Sequence, residues 1–113
     1  MSSHISVRPM TGTWVIRAGG AIIGESKRAV ELIEGSYSPV VYFPRDDVAM
    51  AFLEKTSKTS ACPHKGVATY YSIIAKSGEI EDAAWSYETP IKGMEGIAGY
   101  LAFYPDKAAV EEV

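Results

Sequence analysis

Five consecutive residues, Cys62-Pro63-His64-Lys65-Gly66, bring a thiol, an imidazole and an ammonium together in one short stretch of chain. The thiolate is the reactive form of cysteine, and nearby cations favour it. Lys65, and His64 when protonated, therefore make Cys62 a candidate nucleophilic or redox thiol with His64 as its candidate catalytic partner. The competing reading is a small apolar side chain packed beside a tight Pro-Gly turn. No separate His–Asp pair is visible to act as base and orienter. Lys65-Gly66 is also a candidate anion contact, because glycine lets the backbone approach closely and lysine supplies a point charge. Against that stands a solvated lysine in a turn.

A second group is charged: Glu34, Arg45 and Asp47, placed around the apolar run of residues 39–44. If residues 29–34 form a strand, Val30, Leu32 and Glu34 share one face, and the carboxylate points along the same side as two core residues. A carboxylate so placed requires a partner, and Arg45 is the expected one. The pair is either a ligand-orienting group or a structural ion pair closing the end of a sheet. Asp46 or Asp47 is expected to cap a short helix, with Asp47 also a candidate ligand contact.

The third group is aromatic: Trp14, Tyr42, Tyr70, Tyr71, Trp85, Tyr87 and Tyr100. Tyrosine and tryptophan offer a broad apolar surface with a polar tip, which suits a ligand pocket or an interface. The expected pocket has Trp14, Tyr70 and Trp85 as walls, Glu34, Arg45 and Lys65 as polar groups, and Tyr42, Tyr87 and Gly66 beside them. At least half of the aromatics are also expected to be ordinary core or edge residues.

The elements that must position these groups are short. Residues 13–26, rich in β-formers and interrupted by Gly19-Gly20, predict a hairpin. Residues 29–34 and 39–44 predict two further strands, the second bounded by prolines. A short helix is expected over residues 48–54, followed by a polar loop over 56–60. Residues 68–74, 81–87 and 97–104 predict three more strands, and residues 106–113 a short terminal helix. On a strand over 68–74, Tyr70 and Tyr71 point to opposite faces, so one is expected to leave the core side. This pattern predicts a mostly-β protein, a small antiparallel folded sheet or partly open barrel with one short helix.

The chain has 113 residues, which predicts one domain, drawn here as residues 11–113 behind a flexible arm of residues 1–10. Hydrophobic residues make up 47% and charged residues 22%, values of a foldable globular chain. A net charge of −3 provides no basic footprint, so no nucleic acid or anionic membrane is expected as a partner. One cysteine and two histidines cannot build a closed structural zinc site unaided, and neither a metal nor a cofactor is expected. The lone cysteine, the absence of a signal-peptide pattern at Met1-Ser2-Ser3-His4-Ile5 and the absence of a bilayer-length apolar run predict a cytoplasmic protein.

Four segments carry a resemblance: Tyr42-Phe43-Pro44-Arg45-Asp46-Asp47-Val48; Cys62 to Ala68 with Tyr70-Tyr71; Trp85 with Tyr87 and Pro90; and Gly99-Tyr100-Leu101-Ala102-Phe103-Tyr104. Together they resemble the family named domain of unknown function 427, over about residues 8–108. His64 stands where the family often shows tyrosine. The family is sometimes labelled nucleotidyltransferase-like, but the chain lacks a Gly-Ser pair followed by Asp-x-Asp, the arrangement two-metal phosphoryl chemistry requires. Asp46 and Asp47 are adjacent rather than alternate. The resemblance further implies a β-tent, the folded sheet shared by zinc-binding guanine-exchange-factor-like and methionine sulfoxide reductase B-like proteins, here without the zinc-binding cysteine pairs.

Three functions remain open on these residues. One is a module that binds a small molecule or a modified residue in an aromatic pocket. Another is an enzyme using Cys62. The third is a self-associating domain, a homodimer paired through an open sheet edge.

Overall fold

The computed structural model describes residues 4–113. Ten strands run through it: β1 (Ile5–Pro9), β2 (Trp14–Ala18), β3 (Ala21–Ser26), β4 (Val30–Glu34), β5 (Val40–Tyr42), β6 (Leu53–Cys62), β7 (Gly66–Ala75), β8 (Gly78–Ser86), β9 (Ala102–Phe103) and β10 (Ala109–Glu112). They form three antiparallel sheets, ordered β1-β4-β5, β10-β2-β3 and β6-β7-β8-β9. An isolated bridge from Phe43 to Leu101 ties the end of β5 to the start of β9, and one from Gly24 to Val48 ties β3 to the segment leading into β6. The result is mostly β and antiparallel, and no sheet closes into a barrel.

The β2–β3 hairpin forms where the sequence predicts it. Gly19 and Gly20 both have positive φ, the requirement of the tight turn that matches strand twist. Residues 30–34 are a strand, as their β-branched and apolar content implies.

Other expectations are corrected. Residues 5–9, read as part of an arm, pair with β4 from Ile5↔Glu34 to Pro9↔Val30; residues 1–3 lie outside the described residues. The helix expected over 48–54 is absent. A single 3-10 turn, Met50–Phe52, stands there, preceded by another at Arg45–Asp47, and the chain goes straight into β6. The polar run of residues 56–60 is part of β6 rather than a loop. Its polarity follows from its position at the sheet edge, where lysines and hydroxyls blunt an exposed ladder. The terminal helix is likewise replaced by β10, which pairs with β2 from Ala109↔Arg17 to Glu112↔Trp14. Of residues 97–104 only Ala102–Phe103 is strand, because a 3-10 turn at Glu95–Ile97 and Gly99 at φ +76° interrupt the segment.

The largest sheet is covered on both faces. Across it, Tyr71, Ala84 and Phe103 stand side by side and pack with Ile16 and Ile23 of the hairpin. Tyr70, Trp85 and Ala102 stand side by side on the opposite face and pack with Leu32 of β4 and Tyr42 of β5. Tyr70 and Tyr71 are therefore both buried, against the expectation that one would leave the core.

The sheet is also bent. Register shifts interrupt β6–β7 between Lys55 and Thr59 and β7–β8 between Tyr71 and Ile73. At that line Asp82 takes φ +48°, its N–H donates to Ser72 Oγ at 3.1 Å, and its carboxylate accepts from Thr56 Oγ1 at 2.7 Å. Side chains thus satisfy ladder positions that the bulges disrupt. Among the described residues no helix is long and apolar enough to cross a membrane.

The two-faced burial of β7 gives a contrast between neighbours. Ile73 is fully buried and Ile74 is 41% exposed. Ile73→Ala is expected to cost about 2–5 kcal/mol and Ile74→Ala at most about 0.5 kcal/mol, read by urea denaturation. Equal losses would contradict the packing described.

Candidate functional site

Between β4–β5 and the Tyr70–Trp85 face of the large sheet lies a cleft of about 240 Å³. Its walls include Leu32, Val40, Tyr42, Tyr70, Trp85, Tyr87 and Tyr104, and its one charged pair is Glu34 with Lys65. Strand register explains the convergence. Leu32 and Glu34 share a face of β4, and Tyr70 stands opposite Trp85 across the β7–β8 ladder. Ala102 pairs with Trp85, so Tyr104, two residues on, reaches the same side.

Lys65 is held in place by the turn between β6 and β7. Its N–H donates to Cys62 O at 3.2 Å, and its carbonyl accepts from Ile91 N at 3.0 Å. Gly66 follows at φ +118°, and a Cβ there would lie 3.3 Å from the backbone of both Pro90 and Ile91. Glycine is thus required both by conformation and by the close approach of the 90–91 segment. The Lys65 side chain crosses to Glu34, where Nζ donates to Oε1 at 2.8 Å, with the two side chains 12% and 18% exposed.

The pair shifts both of its members. The hydrogen bond from Lys65 lowers the Glu34 pKa, outweighing the opposing effect of burial, and His4 at 3.5 Å from Oε2 adds to it. For Lys65, burial pulls the pKa down, but the bond to Glu34 and the nearby Cys62 and Tyr87 groups raise it overall. At neutral pH both side chains are charged.

The phenols are buried around this pair. Burial raises the pKa of Tyr42, although the hydrogen bond from Trp85 Nε1 to its hydroxyl at 3.2 Å acts the other way. Burial also raises Tyr87, with Lys65 opposing. Burial and the bond between Tyr104 and Tyr70 hydroxyls at 3.4 Å push Tyr104 up to about 12. Ser60 Oγ lies 3.0 Å from the Tyr70 hydroxyl. Tyr42, Tyr87 and Tyr104 are therefore protonated at neutral pH.

Six of the residues singled out from the sequence, Glu34, Tyr42, Lys65, Tyr70, Trp85 and Tyr87, line this one cleft. The others lie elsewhere. Trp14 stands in a neighbouring apolar groove of about 390 Å³, separated from the cleft by the shared walls Val40 and Trp85. Arg45 does not pair with Glu34. It meets Glu88 at 3.0 Å, donates to Gly99 O at 3.1 Å and approaches the hydroxyl of Tyr71, which itself donates to Glu88. Tyr71 points to the opposite face of β7 from Tyr70, which places Arg45 on the far side of the sheet from Glu34. Asp47 caps no helix. It accepts from Ser26 Oγ at 2.6 Å and Arg28 Nη2 at 3.1 Å, tying the end of β3 to the 45–47 turn.

Cys62 is half-buried and packs against the aromatic cluster of the cleft. His64 is exposed and stands edge-on to His4, with ring centroids 5.1 Å apart. Among the described residues no three His, Cys, Asp or Glu side chains are placed to hold a metal ion.

Tyr104 is the wall residue that the sequence reading leaves out of the site. Its signal was present, since period-2 alternation from Ala102 puts it beside Trp85, their rings 4.6 Å apart. Tyr37, Ser38 and Val40 also line the cleft and carry no motif by which to find them.

The stability contributed by Glu34 depends on pH in a defined direction. Its folded pKa is below the ordinary 4.5, so its contribution is complete above that value and disappears as the pH falls through the lowered folded value. The stability gap between the wild type and Glu34→Gln is expected to be constant at neutral pH and to close as the pH is taken below the ordinary glutamate value and through the lowered folded one, measured by urea denaturation. A gap that persists unchanged in acid would contradict the ion pair.

No curated protein matches the chain. A family model described as domain of unknown function (DUF427) matches residues 6–113. The match spans all ten strands except the first residue of β1, and the chain belongs to the DUF427 family.

Proposed function

We propose that this protein is a binding module for a small molecule or a modified residue, and that the ligand occupies the cleft between β4–β5 and β7–β8. The observation that carries the reading is the joining of an aromatic wall to a half-buried charged pair in one concave site. Ligand sites are typically apolar hollows with a few convergent polar groups that fix orientation.

The other hollows support the reading less well, and the one of about 430 Å³ lined by Glu54, Lys55, Glu79, Glu81 and Asp82 is polar and has no aromatic wall residue. An apolar groove of about 320 Å³ between the Gly19-Gly20 turn and the end of β7 has Lys76 as its single charged wall residue. The groove beside Trp14 has no charged wall residue. Neither offers a set of groups to orient a ligand. Glu34, Tyr42, Lys65, Tyr70, Trp85 and Tyr87 take the role of ligand contacts, with Tyr104 added. Arg45, Asp47 and Trp14 act outside the cleft, and Gly66 acts through the position of Lys65.

A library of single-ring compounds screened by saturation-transfer NMR tests this. Hits that compete with one another are expected, with binding lost in Trp85→Ala and kept in Trp14→Phe, both variants being checked for native circular dichroism. The reading fails if no compound binds, or if the hits are indifferent to Trp85→Ala and to Lys65→Met.

A further inference from the structure

Within the cleft, hydrogen-bond donors and acceptors are unequal in number. The Lys65 ammonium has three N–H donors and gives one to Glu34. The Tyr42 hydroxyl accepts from Trp85 Nε1 and keeps its own O–H to donate. The Tyr87 hydroxyl makes no hydrogen bond to any described residue, although the side chain is 6% exposed and lines the cleft. Glu34, the one carboxylate, is engaged by Lys65 on one oxygen and faces His4 on the other. The cleft is therefore rich in donors, and its strongest acceptor is already in use.

Charge at the rim has the same bias. Lys58 Nζ stands over the Tyr70 ring at 4.5 Å, and Lys107 Nζ over the Tyr104 ring at 5.7 Å. Aromatic faces attract cations, but these two already have the chain's own lysines against them. A cationic ligand would meet the ammonium groups of Lys58, Lys65 and Lys107, against the carboxylates of Glu34 in the cleft and Asp106 beside Tyr104.

Size narrows the class. Pockets for drug-sized ligands run from roughly 300 to 1,000 Å³, and this cleft is about 240 Å³. We propose that it takes a single-ring aromatic monocarboxylate, with the ring against Leu32, Val40 and Trp85 and the carboxylate on Lys65 Nζ and the hydroxyls of Tyr42 and Tyr87. This rests on the reading of the cleft as the ligand site. One negative charge suits the site better than two, because Glu34 already neutralises Lys65 and the added anion is held chiefly by hydrogen bonds.

Four probes of similar ring size separate the possibilities: benzoate, phenyl phosphate, benzamide and benzyltrimethylammonium. Binding to the full chain is read by Trp85 fluorescence in a Trp14→Phe background and by calorimetry. Benzoate is expected to bind tightest. Tyr87→Phe is expected to weaken it several-fold and Lys65→Gln by about tenfold or more, as for hydrogen bonds to a charged group. Because Lys65→Gln leaves Glu34 half-buried without its cation, the double variant Glu34→Gln/Lys65→Gln is measured as well and is expected to lose benzoate equally. Tighter binding of phenyl phosphate, benzamide or the ammonium probe overturns the carboxylate assignment and leaves the cleft a ligand site. Benzoate binding that is indifferent to all three variants also overturns it. If no probe perturbs Trp85 and the fragment library finds no ligand, the cleft itself is not the site.

Discussion

Strand β7 sends side chains into two cores at once, and the rest of the molecule is arranged around that demand. Tyr71 and Ile73 enter the core shared with the β2–β3 hairpin, while Ala68 and Tyr70 enter the one shared with β4 and β5. A strand buried on both faces needs covers on both sides, and a chain of this size has one large sheet and two small ones to provide them. The bulges at Lys55–Thr59 and Tyr71–Ile73, held by Thr56, Ser72 and Asp82, bend the large sheet where the two packing surfaces change over. Bulges used in this way increase local twist and re-aim side chains.

The same arrangement separates two polar networks. On one side of β7, Arg45 and Glu88 are joined through the Tyr71 hydroxyl, and Lys55 approaches Glu88 at 3.6 Å. On the other side Lys65 and Glu34 pair among apolar and phenolic walls, with His4 at 3.5 Å from the second Glu34 oxygen. A half-buried ion pair is weak evidence of stability, since its desolvation offsets much of its Coulombic gain. The Arg45 side chain sits among four hydrogen-bonding partners, Gly99, Tyr71, Ser86 and Glu88, and closes a corner of the fold. Lys65 has one partner and unspent donors, and this difference is what separates a structural pair from a candidate ligand contact.

Much of this was legible in the sequence, and what was missed has physical causes. The hairpin, the strand at residues 30–34 and the aromatic strands follow from β-branched and aromatic runs between glycines and prolines. The alternation of Val30, Leu32 and Glu34 correctly placed a carboxylate beside a core face. Residues 56–60 read as a loop because an edge strand facing solvent has the composition of a loop. Residues 109–112 show the same ambiguity in reverse, since a glutamate-rich strand looks helical until a partner strand fixes it. The partner of Glu34 could not be read from the sequence at all. Arg45 is the nearer residue in sequence, at a separation of 11 against 31 for Lys65, but β7 stands between Arg45 and Glu34, and only the folded sheet reveals that.

A ligand would have to enter between β4–β5 and the large sheet, and a crystal of the protein soaked in a mixture of single-ring compounds would show where it settles. The account predicts electron density between the Trp85 indole and the Lys65–Glu34 pair, within hydrogen-bonding distance of Lys65 Nζ. Density found instead in the apolar groove beside Gly19 and Ile74, or in the groove beside Trp14, would contradict it.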